Sequence, residues 1–166
     1  MSKFVLEDHD IDPTTSSENL ATAIITRVGL LPRKKGSTEK MHNVLLEFYE
    51  RAKAANRDKK PESAVMTVEH MANHAGISRQ TMYEYLGRWL DLCLIVKTSF
   101  ISDGKVIVGY RLNGPTLETA FQKVQEQVNG HLDTTLKLIQ DLQKSVKNEK
   151  ISQSQKINQL KDFSEN

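Results

Sequence analysis

The sequence predicts a mostly α-helical protein with one small β-hairpin and a long C-terminal helix. Three features carry this prediction. Apolar residues recur every three or four positions in several segments, which is the period of an amphipathic helix. The dipeptide Asp103-Gly104 stands between two β-rich runs, which indicates a tight hairpin. After Pro115, apolar residues continue at spacings of three or four from Leu117 to Val146, as in a coiled coil.

The composition limits the chain to one domain of ordinary size with an appendage. Its 166 residues are 38% hydrophobic, which is enough for one modest core. No apolar run approaches the ~20 residues that cross a bilayer, and the start lacks the blocks of a signal peptide. The single cysteine, Cys93, excludes an internal disulfide and a Cys-rich zinc site. We therefore expect a soluble protein in a reducing cytoplasm.

Charge is segregated along the chain, although the net charge is only +2. Residues 1–26 hold one lysine against five carboxylates, whereas residues 27–60 hold ten basic residues against four acidic ones. The second block includes the run Arg33-Lys34-Lys35. Such a block suits attraction to the phosphates of a nucleic acid, although in most soluble proteins it is only solvated surface.

The first elements are a tail and a short helix. Residues 1–15 are acidic, and we expect a flexible tail there. Residues 16–36 hold a helix that Ser16 or Ser17 caps, followed by the basic linker. The apolar positions of this helix are Leu20, Ile24 and Val28.

Residues 37–113 are expected to form the main domain. Ser37 or Thr38 caps its first helix, whose apolar stripe packs on a core. Thr67 caps a short helix, a tight connection containing Gly76 follows, and Ser78 caps a second helix over residues 78–92. Two helices joined by such a turn are the helix-turn-helix arrangement. The stripe of the first helix comprises Met41, Val44, Leu45, Phe48, Ala52 and Ala55.

A β-hairpin follows the second helix. The run from Ile95 to Ile101 is β-rich, and apolar residues alternate from Val106 to Leu112. Gly104 accepts the positive φ that a type I′ turn requires. A two-stranded hairpin alone is marginally stable, so we expect it to lie against the helices.

Residues 114–148 are predicted to form a dimerisation helix that Thr116 caps, and residues 149–166 form a polar tail that frays. The apolar seam of this helix is narrow, with a phase shift near Leu132. A second copy of the same helix would cover it, and folding back on its own domain is the alternative. The dimerisation residues are Leu117, Phe121, Val124, Val128, Leu132, Leu136, Ile139, Leu142 and Val146.

This order of elements resembles a winged helix, in particular the reading module of MarR-like and TrmB-like transcription regulators of archaea and bacteria. The resemblance covers residues 38–112 and is carried by Met71-Ala72, the run AGISRQTMY at 75–83, and Leu86, Leu92, Leu94 and Ile95. The helix after Pro115 is similar to the dimerising C-terminal helix of several such regulators. The resemblance implies a homodimeric, sequence-specific reader of double-stranded DNA that regulates transcription in the cytoplasm, associated with the nucleoid.

The second helix of the helix-turn-helix supplies the candidate reading edge. Met82, Leu86 and Trp89 face the core, which leaves the polar side chains outward. Arginine suits guanine or phosphate, glutamine suits adenine, and the hydroxyls suit phosphate or a thymine methyl. Lys105 would contact the DNA backbone or minor groove from the wing. The DNA-binding candidates are Ser78, Arg79, Gln80, Thr81, Tyr83, Glu84, Arg88 and Lys105, with Arg33, Lys34 and Lys35 adding attraction that does not depend on sequence, together with Arg57, Lys59 and Lys60 if these face the DNA.

Three departures from the family pattern stand beside this prediction. Glu84 occupies a place where a basic residue is common, so it either accepts from cytosine or weakens the affinity for phosphate. Cys93 stands where such helices usually end in Gly, so the left-handed cap is absent or strained. The wing is short. Two other functions remain open: a winged-helix adaptor in a transcription, replication or DNA-partition assembly, which binds protein through the acidic tail or the long helix, and a small-molecule sensor.

Other signals do not support catalysis or a cofactor. His70 and His74 have a spacing that suits a metal, but Met71 replaces the glutamate of the zinc-protease motif, and further ligands are not evident. Cys93 lies among apolar residues, which favours a buried structural thiol over a nucleophile. The glycines do not form a phosphate-binding loop. We expect no enzyme activity, no metal and no cofactor.

Overall fold

The computed structural model describes residues 3–31 and 40–165. The protein is mostly helical, with one antiparallel two-stranded hairpin and a long C-terminal helix, which confirms the predicted fold class at this level. The basic run Arg33-Lys34-Lys35 and the expected caps Ser37 and Thr38 lie outside the described residues. The helix that Ser37 or Thr38 was expected to cap begins only at His42, with Met41 at its N-cap and no side-chain cap hydrogen bond, so that prediction was wrong. In chain order the elements are α1 (Ser17–Arg27), α2 (His42–Asp58), a 3₁₀ turn (Pro61–Ala64), α3 (Val68–Ala75), α4 (Arg79–Asp91), β1 (Ile95–Ser102), β2 (Lys105–Leu112) and α5 (Leu117–Ser164).

Helix α1 begins as predicted, but it buries a different face. The Asn19 N–H donates to Ser16 Oγ at 3.2 Å, which confirms Ser16 as the cap. The buried positions include Ala21 and Ile25, whereas the expected positions, Leu20, Ile24 and Val28, are only half-buried. The apolar stripe seen in the sequence therefore lies beside the buried face, because two neighbouring stripes have the same spacing of four and contact with α2 selects between them.

The segment before α1 is attached to the end of that helix rather than free. The Glu7 N–H donates to the Arg27 carbonyl at 3.0 Å, and the Arg27 guanidinium donates to the His9 carbonyl at 3.0 Å. Gly29 has a φ of 72°, and a Cβ there would lie 2.6 Å from the Val5 carbonyl oxygen. These contacts correct the prediction of a flexible tail, which considered only the local charge and not pairing with a helix end.

The core of the domain lies between α2, α3 and α4. Every residue of the predicted α2 stripe is buried, which confirms that prediction. Phe48 of α2 and Trp89 of α4 are fully buried, and their ring centroids are 6.2 Å apart, a favourable aromatic contact. Met71 of α3 and Met82 of α4 are also buried, with no exposed surface. Helix α4 is therefore held by one apolar side.

The hairpin has the predicted two-residue turn. Asp103 and Gly104 have φ values of 50° and 73°, the two positive angles of a type I′ turn. The strands pair from Ile95 with Leu112 to Ser102 with Lys105. A one-residue bridge between Met66 and Tyr110, with both N–H···O distances at 2.8 Å, ties the root of the hairpin to the chain before α3.

Helix α5 begins as predicted and continues further. The Thr119 N–H donates to Thr116 Oγ1 at 3.1 Å, which confirms the cap. The expected end near residue 148 was wrong, since the helix continues to Ser164. No Gly or Pro interrupts residues 131–164, and Ile157 and Leu160 keep an apolar spacing of three.

The chain divides within α5 into two compact units, Met1–Gln127 and Val128–Asn166. In the first unit, Ala120 and Val124 are buried in the domain, and Leu117 and Phe121 are half-buried. Val124 is therefore a core residue, and its prediction as a dimerisation residue was wrong. In the described ranges, no helix combines the length and the apolar content that crossing a membrane requires.

Candidate functional site

The connection between α3 and α4 sets the position of the candidate reading helix. Gly76 has a φ of 70°, and the Ile77 N–H donates back to the Ala72 carbonyl at 3.0 Å, which ends α3. The Thr81 N–H then donates to Ser78 Oγ at 3.1 Å, which starts α4 and confirms the predicted cap. The hydroxyls of Ser78 and Thr81 are also 2.8 Å apart. Both hydroxyls are thus engaged in the local cap, and Thr81 is half-buried.

The two sides of α4 differ as the sequence predicts. Met82 and Trp89 have no exposed surface, and Leu86 is only 4% exposed. The opposite side places exposed side chains in water, including Tyr83, which is 49% exposed. This arrangement confirms the inward side of the helix. The exposed DNA-binding candidates on α4 are Arg79, Gln80, Tyr83 and Glu84.

Arg88 does not share an edge with Arg79. Nine residues correspond to about two and a half helical turns, so the two arginines lie on opposite sides of α4. Arg88 is half-buried and lines a small recess with Val5 and Gly29. The prediction that Arg88 belongs to the same reading edge was therefore wrong. That prediction considered only that Arg88 points away from the core, and not its angular position around the helix axis relative to Arg79.

The middle of the exposed side of α4 holds Gln80, Glu84 and Gly87, and the half-buried Asp91 lies at its end. Gln80, Glu84, Gly87 and Asp91 follow one another at spacings of four, three and four, so they form one line along the helix. Sequence reasoning missed Gly87 as part of this face. A Cβ at Gly87 would meet no atom within 4 Å among the described residues. Nothing in the described part of the domain thus requires a glycine here.

Arg79 is held at the edge of the site by two side chains. Its Nη1 atom is 3.3 Å from Glu69 Oε1, across the connection between α3 and α4. Its guanidinium carbon lies 5.7 Å from the ring centroid of Tyr83, within the range of a cation–π contact. The pKa of Arg79 is raised, first by hydrogen bonding with the Tyr83 side chain and then by attraction to Tyr83 and Glu69.

These groups surround a recess of about 220 Å³ between the starts of α3 and α4 and the strand β2. Val108 and Tyr110 form the strand side of this recess, and Thr67 forms part of the α3 side. Sequence reasoning did not identify Glu69, because the residue lies ten positions before Arg79 in a different helix. The arrangement brings an arginine, a tyrosine and a carboxylate to the point where hairpin and helix meet.

The outer half of the hairpin is exposed and apolar on one face. Ile101 and Val106 are register partners and are 76% and 69% exposed. Val108, two residues further along β2, lies on the same face and is 47% exposed. The prediction that the hairpin lies against the helices was right for its root, where Ile95, Tyr110 and Leu112 are buried, and wrong for the outer half. Strands of eight residues extend roughly 26 Å, further than the helix contacts reach.

The basic candidates do not gather in one described patch. Lys105 is exposed at the hairpin turn, as predicted. Arg57, at the end of α2, pairs with Asp58 at 3.1 Å. Lys59 lies beside Arg111 and Pro115, near the end of β2 and the start of α5. Of the three basic residues at the end of α2, Lys59 thus lies near the root of the hairpin, whereas Arg57 lies on the surface of α2 beside Lys53 and Ala54.

His70, His74 and Cys93 were considered as metal ligands or as a nucleophile in the sequence, and the structure gives the surroundings of each. His74 Nε2 is 3.8 Å from Glu47 Oε1, and His70 is exposed. Within residues 3–31 and 40–165, no cluster of three or more His, Cys, Asp or Glu side chains has the geometry of a metal site. Cys93 is half-buried rather than buried, and its φ of 61° shows that the left-handed cap is present without glycine.

In the second unit, α5 leaves its apolar stripe in water. Leu132, Ile139 and Val146 stand seven residues apart, and they are 57%, 47% and 42% exposed. Leu136 and Leu142 flank them and are 55% and 61% exposed. Val128 is half-buried. These five exposed residues are among the nine that were predicted for the seam.

Comparison with protein-family models and with curated protein sequences gives no match to this chain.

Proposed function

We propose that the protein is a homodimeric winged-helix protein that binds double-stranded DNA in a sequence-specific way and regulates transcription. The observation that carries the proposal is the division of α4 into a fully buried apolar side and an exposed side with Arg79, Gln80, Tyr83 and Glu84. Helix α4 is capped, follows a tight turn, packs on the core through one side only and is followed by a hairpin. This arrangement suits insertion of the helix into a major groove. The proposal includes no catalytic step, and it implies a cytoplasmic, nucleoid-associated protein.

The chemistry of the exposed edge supports readout of bases as well as phosphate. Arg79 is at the first position of α4, where side chains of a reading helix reach base edges, and its fork of donors matches guanine. Gln80 suits adenine, and Glu84 suits the amino group of cytosine. Lys105 at the hairpin turn suits a phosphate beside the groove.

The dimer part of the proposal rests on α5. Its stripe of Leu132, Ile139 and Val146 at heptad spacing is too narrow for a broad core face and too exposed for a single chain. A second copy of the same helix would cover it by two-fold symmetry. A symmetric dimer implies a DNA site with two related halves.

Binding to random-sequence duplex DNA, followed by selection of retained sequences, tests the proposal. The affinity should fall as a power of the salt concentration, because phosphate contacts release counterions. Arg79→Ala should cost about 1–3 kcal/mol on the selected sequence and reduce its preference over random duplex. The control Arg57→Ala removes the same charge at the end of α2 and should leave that preference unchanged. Failure of the wild-type protein to retain any duplex at low salt contradicts the proposal.

One observation favours a second function, that of a protein-binding adaptor. The face formed by Ile101, Val106 and Val108 is apolar and exposed, and such surfaces often bind other proteins. An adaptor would show neither salt-dependent duplex binding nor an effect of Arg79→Ala. The same binding experiment therefore separates the two functions.

A further inference from the structure

We infer that Glu69 sets the affinity of the proposed DNA site by competing with phosphate for Arg79. The inference rests on the proposed function. It assigns control of the DNA affinity to a residue outside the reading helix. Glu69 lies in the first turn of α3, whereas Arg79 is the first residue of α4. The connection between the helices brings the two side chains together.

The contact has the properties of an exchangeable pair. Arg79 Nη1 and Glu69 Oε1 are 3.3 Å apart, and the two side chains are 61% and 67% exposed. An exposed ion pair contributes little to folding stability, so breaking it costs little. Arg79 is therefore available to another anion that reaches the same edge.

Tyr83 keeps the guanidinium in place when the partner changes. The ring lies one turn further along α4, with the guanidinium carbon 5.7 Å from its centroid. A cation–π contact holds the arginine from the ring side and leaves its other donors open. A phosphate oxygen and the Glu69 carboxylate would then compete for the same side of Arg79.

Charge explains why the competition lowers affinity. A DNA phosphate that binds Arg79 must either displace the Glu69 carboxylate or accept a like charge beside it. Removing the charge while keeping an acceptor, as in Glu69→Gln, preserves the local shape. The substitution should therefore tighten binding through Arg79.

A double-mutant cycle on one random-sequence duplex at fixed salt tests the inference, with the wild-type protein, Glu69→Gln, Arg79→Ala and the double variant. Glu69→Gln should tighten binding by about two- to fivefold, the range of an exposed ion pair. In the Arg79→Ala background the same change should have no effect. Glu62→Gln removes an equal charge in the 3₁₀ turn and serves as the control for a general effect of net charge.

Each outcome of the cycle is decisive. Tightening that needs Arg79 supports the inference. Equal tightening with and without Arg79, tightening by Glu62→Gln to the same degree, or no tightening by Glu69→Gln overturns the inference and leaves the proposed function in place. Absence of duplex binding by every variant, including the wild-type protein, overturns both. Thermal unfolding of each variant confirms that folding is intact.

Discussion

Gly87 occupies the exposed line of α4, and replacing it with alanine makes a sharp test of this face. The residue is inside a helix, and its φ is not in the left-handed region. Glycine inside a helix is less favourable than alanine by about 0.5–1 kcal/mol, because it loses more backbone freedom on folding. A Cβ at this position would meet no described atom within 4 Å, so no clash offsets the gain.

Gly87→Ala should therefore raise the free energy of unfolding by about 0.5–1 kcal/mol. Urea unfolding at fixed protein concentration measures the change, since a dimer would make stability depend on concentration. Gly130→Ala in α5 is the matched control, because its Cβ also meets no described atom within 4 Å. It should give a similar gain without altering α4.

The same variant tests the proposed groove contact. If α4 enters a major groove along the line of Gln80, Glu84 and Gly87, the added methyl should weaken duplex binding while the fold becomes more stable. Gly130→Ala should leave duplex binding unchanged. A fall in stability of Gly87→Ala would refute the description of an open helix face, and unchanged binding would refute close approach at Gly87.

The remaining predictions concern the hairpin, the cap and the long helix. Gly109→Ala should lower stability by about 1–3 kcal/mol, because its Cβ would overlap the Val65 side chain and lie 2.9 Å from the Met66 oxygen; an unchanged urea midpoint would contradict this. Ser78→Ala should cost about 1 kcal/mol in the same assay through loss of the α4 cap, and no loss would mean that the Thr81 bond is dispensable. Ile139→Asp should convert the proposed dimer to a monomer in a solution mass measurement, whereas Lys144→Ala should not; a dimer that survives Ile139→Asp contradicts the seam.

The features that were predicted best from the sequence are those that depend on contacts between residues only a few positions apart. Ser16, Thr67, Ser78 and Thr116 each accept from the N–H three residues ahead, so the cap and its partner appear together in the sequence. The turn at Asp103 and Gly104 is equally local, because backbone freedom at two positions decides it. The starts of α1, α3, α4 and α5 and the hairpin were predicted on this basis, whereas α2 begins at His42 without a side-chain cap.

Features that depend on partners far along the chain were predicted less well. The buried face of α1 could not be chosen between two stripes of equal spacing. The approach of Glu69 to Arg79 depends on how α3 and α4 pack, and no local pattern indicates it. Val124 fits a heptad seam as well as a core position, and only the domain around it shows which one it occupies.

The sequence alone therefore determined where α1, α3, α4 and α5 begin, where the hairpin turns and which side of α4 is apolar. The hydrogen bonds and side-chain spacings that decide these features involve residues close together in the chain. Tertiary structure decided which face of α1 is buried, that the N-terminal segment joins α1, and that the outer half of the hairpin is exposed to water. These outcomes depend on the packing of the whole core, because a surface is buried only where a neighbouring helix or strand contacts it.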